Sequence, residues 1–165
     1  MVETSRELVG EEGFKERHRW TDKDFTRDRS LVFALVVALV LRKSMKSLQN
    51  VVNEAMLWLE RSSVSASAYS QARYKLRHTA FIELNRKAVV GTMYRDGDYQ
   101  TFWDCRVLAV DGSKVALPDS ESVREDFGTL PWTGGKNSEL QGERPYALAS
   151  VLYDVLNRVA LDATL

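Results

Sequence analysis

The sequence predicts an α+β protein, helical first and stranded second, and three observations predict it. Apolar residues recur with helical spacing between about residues 26 and 91. After residue 105 the pattern changes to short apolar runs broken by Gly, Pro and Asp, which marks strands and turns. Composition is that of a globular chain: of 165 residues, 44% are apolar, 28% charged and 10% aromatic. Hydrophobicity at this level with no net charge excludes a disordered chain. The length fits one ordinary domain or two small ones.

Residues 1–24 are polar and lack a sustained period, so they are expected to form a loose N-terminal arm with a short helical piece around 14–20. Residues 26–43 read as a helix. Thr26 stands where it can cap, Asp28 suits the positive end of the helix, and Arg42 and Lys43 suit the negative end. Between them lie eleven consecutive apolar residues, 31–41, apolar on every side, so this helix is expected to be central and buried. That run is shorter than the roughly 20 residues of a membrane span and too far from the start for a signal peptide. Residues 47–59 carry the cleanest helical stripe, Leu48, Val51, Val52, Ala55, Met56 and Leu59, behind Ser47 as a cap. A polar break at 60–64 precedes a third helix over 68–78, capped by Ser65 or Ser67. Ala68, Ala72 and Leu76 share its inward side, with Tyr69 and Tyr74 flanking. A fourth helix over 79–91 turns Phe81, Leu84 and Ala88 inward and stops at Gly91.

Residues 94–104 form a polar connector containing Asp96, Gly97 and Asp98. The chain therefore divides into the arm at 1–24, a helical region at 25–104 and a second region at 105–165. In the second region, residues 106–110 read as a strand, Asp111, Gly112 and Ser113 as a turn, and 114–117 as another short strand ending at Pro118. Residues 119–144 read as a long loop containing Gly128, Gly134, Gly135 and Gly142. Residues 146–153 and 158–165 read as a β-hairpin around 154–157.

A formal net charge of zero conceals a division. Residues 1–13 carry one basic and four acidic side chains, residues 14–90 fifteen and seven, and residues 91–165 seven and twelve. A basic segment beside an acidic one is what a DNA-binding module joined to a carboxylate-based metal site shows, although the same asymmetry arises in soluble proteins with neither. Two helices with a short turn between them, the second rich in basic residues, match a helix-turn-helix arrangement. On the third helix Gln71, Arg73, Lys75 and Arg77 lie off the inward stripe, and Arg and Gln are the types that read guanine and adenine edges. A solvated basic face is the alternative. Arg42, Lys43 and Lys46 form a second candidate contact surface. The single cysteine, Cys105, excludes an internal disulfide and a multi-cysteine zinc site and is expected as a small buried apolar residue. His18 and His78 are expected as ordinary polar side chains, and a reducing cytoplasm is the default setting.

Asp111 is the most informative carboxylate. It ends an apolar run, where a fixed acid at a sheet edge can hold a divalent metal. An Asp-Gly hairpin turn explains the same two residues.

Residues 107–119 (VLAVDGSKVALPD) resemble the first catalytic segment of DDE transposases from bacterial insertion sequences, the group whose ribonuclease-H-like domain carries a large β-rich insertion. Upstream, residues 25–31 (FTRDRSL), 46–49 (KSLQ) and 64–76 (VSASAYSQARYKL) resemble, in order, the helical N-terminal region of that family. The hairpin at 146–165 resembles the next two strands of its catalytic sheet. The resemblance covers roughly residues 25–165. It implies a helical DNA-binding region followed by the first three antiparallel strands of a ribonuclease-H-like domain. It also implies DNA transposition as the function and double-stranded DNA at transposon ends as the partner. Self-association or association with a full-length transposase, a location at the bacterial nucleoid and no membrane role complete the expectation.

The family's activity requires two Asp and one Glu, which hold Mg²⁺ or Mn²⁺ ions for attack on phosphodiester bonds. Asp111 matches the first acid. Asp154 and Asp162 do not match the second, and Glu139 matches nothing, so the catalytic region is expected to be incomplete and to bind no metal stably. The helical region is then expected to be the stable part, with proteolysis trimming the chain towards 25–95. Two alternatives stand beside this reading. One is a non-catalytic DNA-binding regulator that competes for transposon ends. The other is a structural or interaction protein with no DNA role.

Overall fold

The structure, a computed structural model, describes residues 1–27, 30–95, 98–133 and 140–165. It is an α+β fold of two units, Met1–Asp96 and Gly97–Leu165. The division falls inside the connector the sequence marks, although Asp96 and Gly97 themselves lie outside the described residues.

The first unit is helical from its second residue. Helices α1 (Val2–Gly10) and α2 (Glu12–His18) occupy the stretch expected as a loose arm. Their few apolar side chains are well spent. Leu8 and Phe14 are buried in a cluster with Phe33, Val37, Ala80, Leu84 and Ala88, and Phe14 is wholly enclosed. No long period announces these helices because Glu11, extended at φ −68° and ψ 131°, breaks them after nine residues.

Helix α3 spans Phe33–Leu41, shorter than the expected 26–43. Thr26 does not cap it; its hydroxyl donates to the Lys23 carbonyl. Residues 21–25 instead close a turn, in which the Asp24 carboxylate accepts from the Thr21 N–H at 3.0 Å and hydroxyl at 2.8 Å, and Phe25 takes a left-handed φ of 55°. Asp28 lies outside the described residues. Arg42 sits beyond the helix as its extended C-cap. The helix is central as expected, for it gives Phe33 and Val37 to the first cluster and Val36 and Leu39 to the second. It is not buried all round: Ala34, Ala38 and Leu41 face solvent.

Helix α4 (Leu48–Trp58) begins at Ser47, whose hydroxyl accepts from the Asn50 N–H, and helix α5 (Ala66–Tyr74) begins at Ser65, which accepts from Ala68. Val51, Val52, Ala55 and Met56 from α4 and Tyr69 from α5 complete the second cluster with α3. Leu48 and Leu59, the outer members of the predicted stripe, are exposed. Helix α6 (Thr79–Leu84) runs into a π-helical stretch (Asn85–Val90) and then α7 (Gly91–Arg95). Gly91 therefore does not stop the helix. Its φ is −62°, and a Cβ there would meet the Arg86 carbonyl at 3.1 Å, so glycine serves the tight approach within the widened π turn.

The second unit is built on an antiparallel sheet of four strands: β1 (Leu108–Ala116), β2 (Thr129–Thr133), β3 (Leu140–Asp154) and β4 (Val159–Thr164). The long β3 is its spine. β1 pairs along one side, and β2 and β4 pair along the other at successive stretches. The expected turn at Asp111, Gly112 and Ser113 is absent. β1 runs straight through, paired from Leu108 opposite Asp154 to Ala116 opposite Tyr146. The expected loop at 119–144 contains helix α8 (Glu121–Phe127), capped by Ser120, then β2 and the start of β3. Gly134, Gly135 and Glu139 of that stretch lie outside the described residues. The hairpin at 146–165 forms as expected. Asp154, fully buried, accepts from the Asn157 N–H and side-chain amide and so fixes the turn.

Candidate nucleic-acid interface

Helix α5 is docked by its inward side. Tyr69 is buried, and Ala72 and Leu76 pack on the same cluster. Gln71 and Arg73 stand on the exposed side of this helix. Lys75 and Arg77 do not, because α5 ends at Tyr74 rather than at 78. Lys75 is the C-cap, and the chain then extends and pairs with the end of α2. Trp20 N–H donates to the Lys75 carbonyl and Arg77 N–H to the His18 carbonyl, both at 2.8 Å, with Arg19 and Leu76 opposite each other. This pairing ends the helix early, since it takes the backbone groups that a further turn would use. The seven-residue connection 59–65 between α4 and α5 is also longer than the three to four residues of a compact helix-turn-helix.

The pairing brings residues from the expected arm next to α5. Trp20 is 62% exposed, and the Arg77 guanidinium lies over its ring, 5.6 Å from the centroid. Lys75 Nζ stands 3.6 Å from Asp24 Oδ1. Burial works to raise the Asp24 carboxyl, but hydrogen bonds from Thr21 and the nearby Lys75 ammonium hold it below its usual range. Arg19, Trp20, Lys23 and Arg27 thus join the candidate surface, and all but Arg19 are exposed. Sequence reasoning missed them. The available signal was the interleaving of basic and aromatic residues from Lys15 to Arg27.

Arg42, Lys43 and Lys46 are exposed at the α3–α4 connection, away from the end of α5 in sequence and in element. Arg42 donates to Glu54 at 2.9 Å, and Lys46 pairs with the same carboxylate. The Lys46 hydrogen bond, working against burial, and the charges of Lys46 and Arg42 hold Glu54 below its usual range. Two of these three cations are therefore engaged by a carboxylate at home.

His18 is not an ordinary surface side chain. It is buried, with Nδ1 at 2.9 Å from the Thr79 hydroxyl and Nε2 at 2.7 Å from Glu83. Glu83 also receives Arg17 and Lys87, each at 2.7 Å. Hydrogen bonds from Arg17 and Lys87, against some burial and with help from His18, pull the Glu83 carboxyl down to about 2. This cluster ties α2 to α6.

Asp111 lies in the middle of β1, exposed, opposite Val151. Its Oδ1 accepts from the neighbouring Gly112 N–H at 2.8 Å. Side chains alternate across a sheet, so Asp111 shares its face with Val151 and, on β4, Ala163. Asp162 pairs with Leu152, which pairs with Val110, and so belongs to the opposite face. Asp154 is buried in the hairpin turn. Among the described residues, no three His, Cys, Asp or Glu stand together where they could hold a metal ion. One carboxylate with apolar neighbours on its face does not fit a site that must hold two divalent ions. Cys105 is exposed, not buried: it lies in a tight turn, exchanging backbone hydrogen bonds with Phe102. Among the described residues, no helix is long and apolar enough to cross a membrane.

The chain matches no protein-family model, no curated protein and no solved structure.

Proposed function

We propose that the helical unit binds double-stranded DNA and that the chain acts in DNA transposition, as the DNA-binding part of a DDE-type transposase. One observation carries the DNA reading. Lys23, Arg27 and Lys75 line one cleft beside α5, and Arg19 and Arg77 stand with the exposed Trp20 in a hollow that shares Asp22 with it. Cations of this density serve a polyanion, and phosphate contacts would supply most of the affinity. The transposase assignment rests on the ordered resemblance of residues 25–31, 46–49, 64–76 and 107–119. The ribonuclease-H-like reading of the second unit is supported by the antiparallel neighbours β1, β3 and β4, the strand order that the resemblance implies. The proposed setting is the bacterial nucleoid, with transposon ends and other transposase copies as partners.

A second reading is a DNA-binding regulator that competes for transposon ends without cutting them. The isolation of Asp111 on its sheet face favours it. Fluorescence anisotropy of the whole chain with a labelled duplex, titrated across salt concentrations, tests what both readings share. The expected result is a steep fall of affinity with salt, with log Kd changing by about 4 per decade of salt, one unit for each of about four phosphate contacts. Weak binding that is indifferent to salt removes both. Incubation of the chain with duplex DNA and Mg²⁺ or Mn²⁺ then tests the second reading. No strand cleavage is expected, and cleavage that disappears in Asp111→Ala would establish Asp111 in a working site and exclude the regulator.

A further inference from the structure

A cleft of about 680 Å³ runs between α5 and residues 22–27, 30 and 31. Lys23, Arg27, Gln71 and Lys75 line it, with Asp22 and Phe25 also in its wall. Asp22 also borders a smaller hollow of about 190 Å³ formed by Arg19, Trp20 and Arg77. The two hollows share Asp22 in their linings and between them carry five cations. Three carboxylates accompany them: Asp22 and Glu16 in the walls, and Asp24, which holds Lys75.

We propose that this cleft, and not the outward side of α5 alone, seats the phosphodiester backbone of one DNA strand, with Lys23, Arg27 and Lys75 on the phosphates. The proposal rests on the DNA-binding reading above and goes further by locating the contact. Three features of the cleft argue for it. It is a concave groove with cations on both walls, so one strand can be contacted from two sides. Gln71, whose amide can both donate to and accept from a base edge, is among the side chains that line it. The partly exposed Trp20 ring, covered by Arg77, gives the groove an amphipathic end, as in proteins that track a nucleic-acid backbone.

The Asp24–Lys75 pair follows from the same geometry. Asp24 competes with a phosphate for Lys75, so removing its charge should strengthen binding while leaving its turn hydrogen bonds largely available to an amide oxygen.

The test is anisotropy with the whole chain against a duplex and against a single strand of the same sequence. Lys23→Glu and Arg27→Glu are compared with Arg6→Glu, an equal charge change on exposed α1. Both cleft reversals should weaken binding about tenfold and lower the salt slope by about 1, and Arg6→Glu should change it less than twofold. Asp24→Asn should tighten binding about threefold. Loss confined to the duplex, or shared by the single strand, supports the cleft and identifies the form of DNA it takes. If the unaltered chain binds steeply with salt but both reversals behave like Arg6→Glu, the cleft is wrong and the DNA reading survives. If the unaltered chain does not bind, both fall. Lys23→Gln, with a melting curve beside it, guards against a folding defect: an unchanged Tm with weakened binding supports the proposal. An Asp24→Asn protein that binds no tighter contradicts it.

Discussion

The helical unit and the sheet unit use similar apolar content in opposite ways. The helices close around two clusters, with α3 shared between them, so that Phe14, Val36, Val52 and Met56 are almost wholly enclosed. In the sheet unit, the buried side chains among the described residues are small or part of a turn: Pro145, Ala147, Val159 and Asp154. Every residue of β1 is exposed, and Val110 is 74% exposed despite its strand propensity. Hydrogen bonding organises the sheet more than burial does, whereas burial organises the helices. Burial contributes the larger share of folding free energy, so the two units should differ sharply in stability.

The largest effect expected from this contrast is a mutational one. Phe14→Ala should cost about 4 kcal/mol and lower the melting temperature of the helical unit by about 20 °C, whereas Val110→Ala should cost about 0.5 kcal/mol or less. Calorimetry of both variants checks the pair; similar costs would erase the contrast. Met56→Ala should follow at about 3 kcal/mol. Proteolysis gives the same comparison without mutation. Digestion should remove the sheet and stop near residue 95. Because α1 and α2 belong to the core, the surviving fragment should begin near residue 1 and not near residue 25.

Acid gives a smaller effect of definite sign. The Glu83 carboxyl is lowered from an ordinary 4.5 to about 2 in the folded unit. A depressed acid contributes stability in full above its unfolded value and loses it as pH falls towards the folded one. The helical unit should therefore weaken progressively between about pH 4.5 and 2, followed by helical circular dichroism. Glu83→Gln should flatten that dependence and cost about 2 kcal/mol at pH 7, because Arg17, His18 and Lys87 lose their shared acceptor. Ser65→Ala, which removes the cap of α5, should cost about 1 kcal/mol.

What was legible in the sequence follows the same physical line. α4 could be read because its stripe is long, unbroken and introduced by Ser47. The hairpin at 146–165 could be read because Asp154 and Asn157 carry their own turn chemistry. α1 and α2 could not, since their burial rests on Leu8, Phe14 and His18, spread across a break at Glu11. The start of α3 misled because Thr26 has the chemistry of a cap but spends it on the Lys23 carbonyl. The Asp111–Gly112 pair misled for a related reason. Locally it favours a turn, and only pairing with the distant β3 keeps it extended. At the candidate interface, Gln71, Arg73, Lys75 and Arg77 are exposed as expected. Trp20, Lys23 and Arg27 reach the same place only through the pairing of Arg19 with Leu76, a contact between segments more than fifty residues apart that no local pattern encodes.

Hydrogen–deuterium exchange of the whole chain, with and without duplex DNA, tests the central contrast most directly. The slowest amides should lie in α3, α4 and α6, and those of β1 and β4 should exchange fast. Added DNA should slow exchange at residues 18–27 and 66–77 and leave 108–116 unchanged. A sheet as protected as the helices, or DNA-dependent protection centred on β1, would contradict the account.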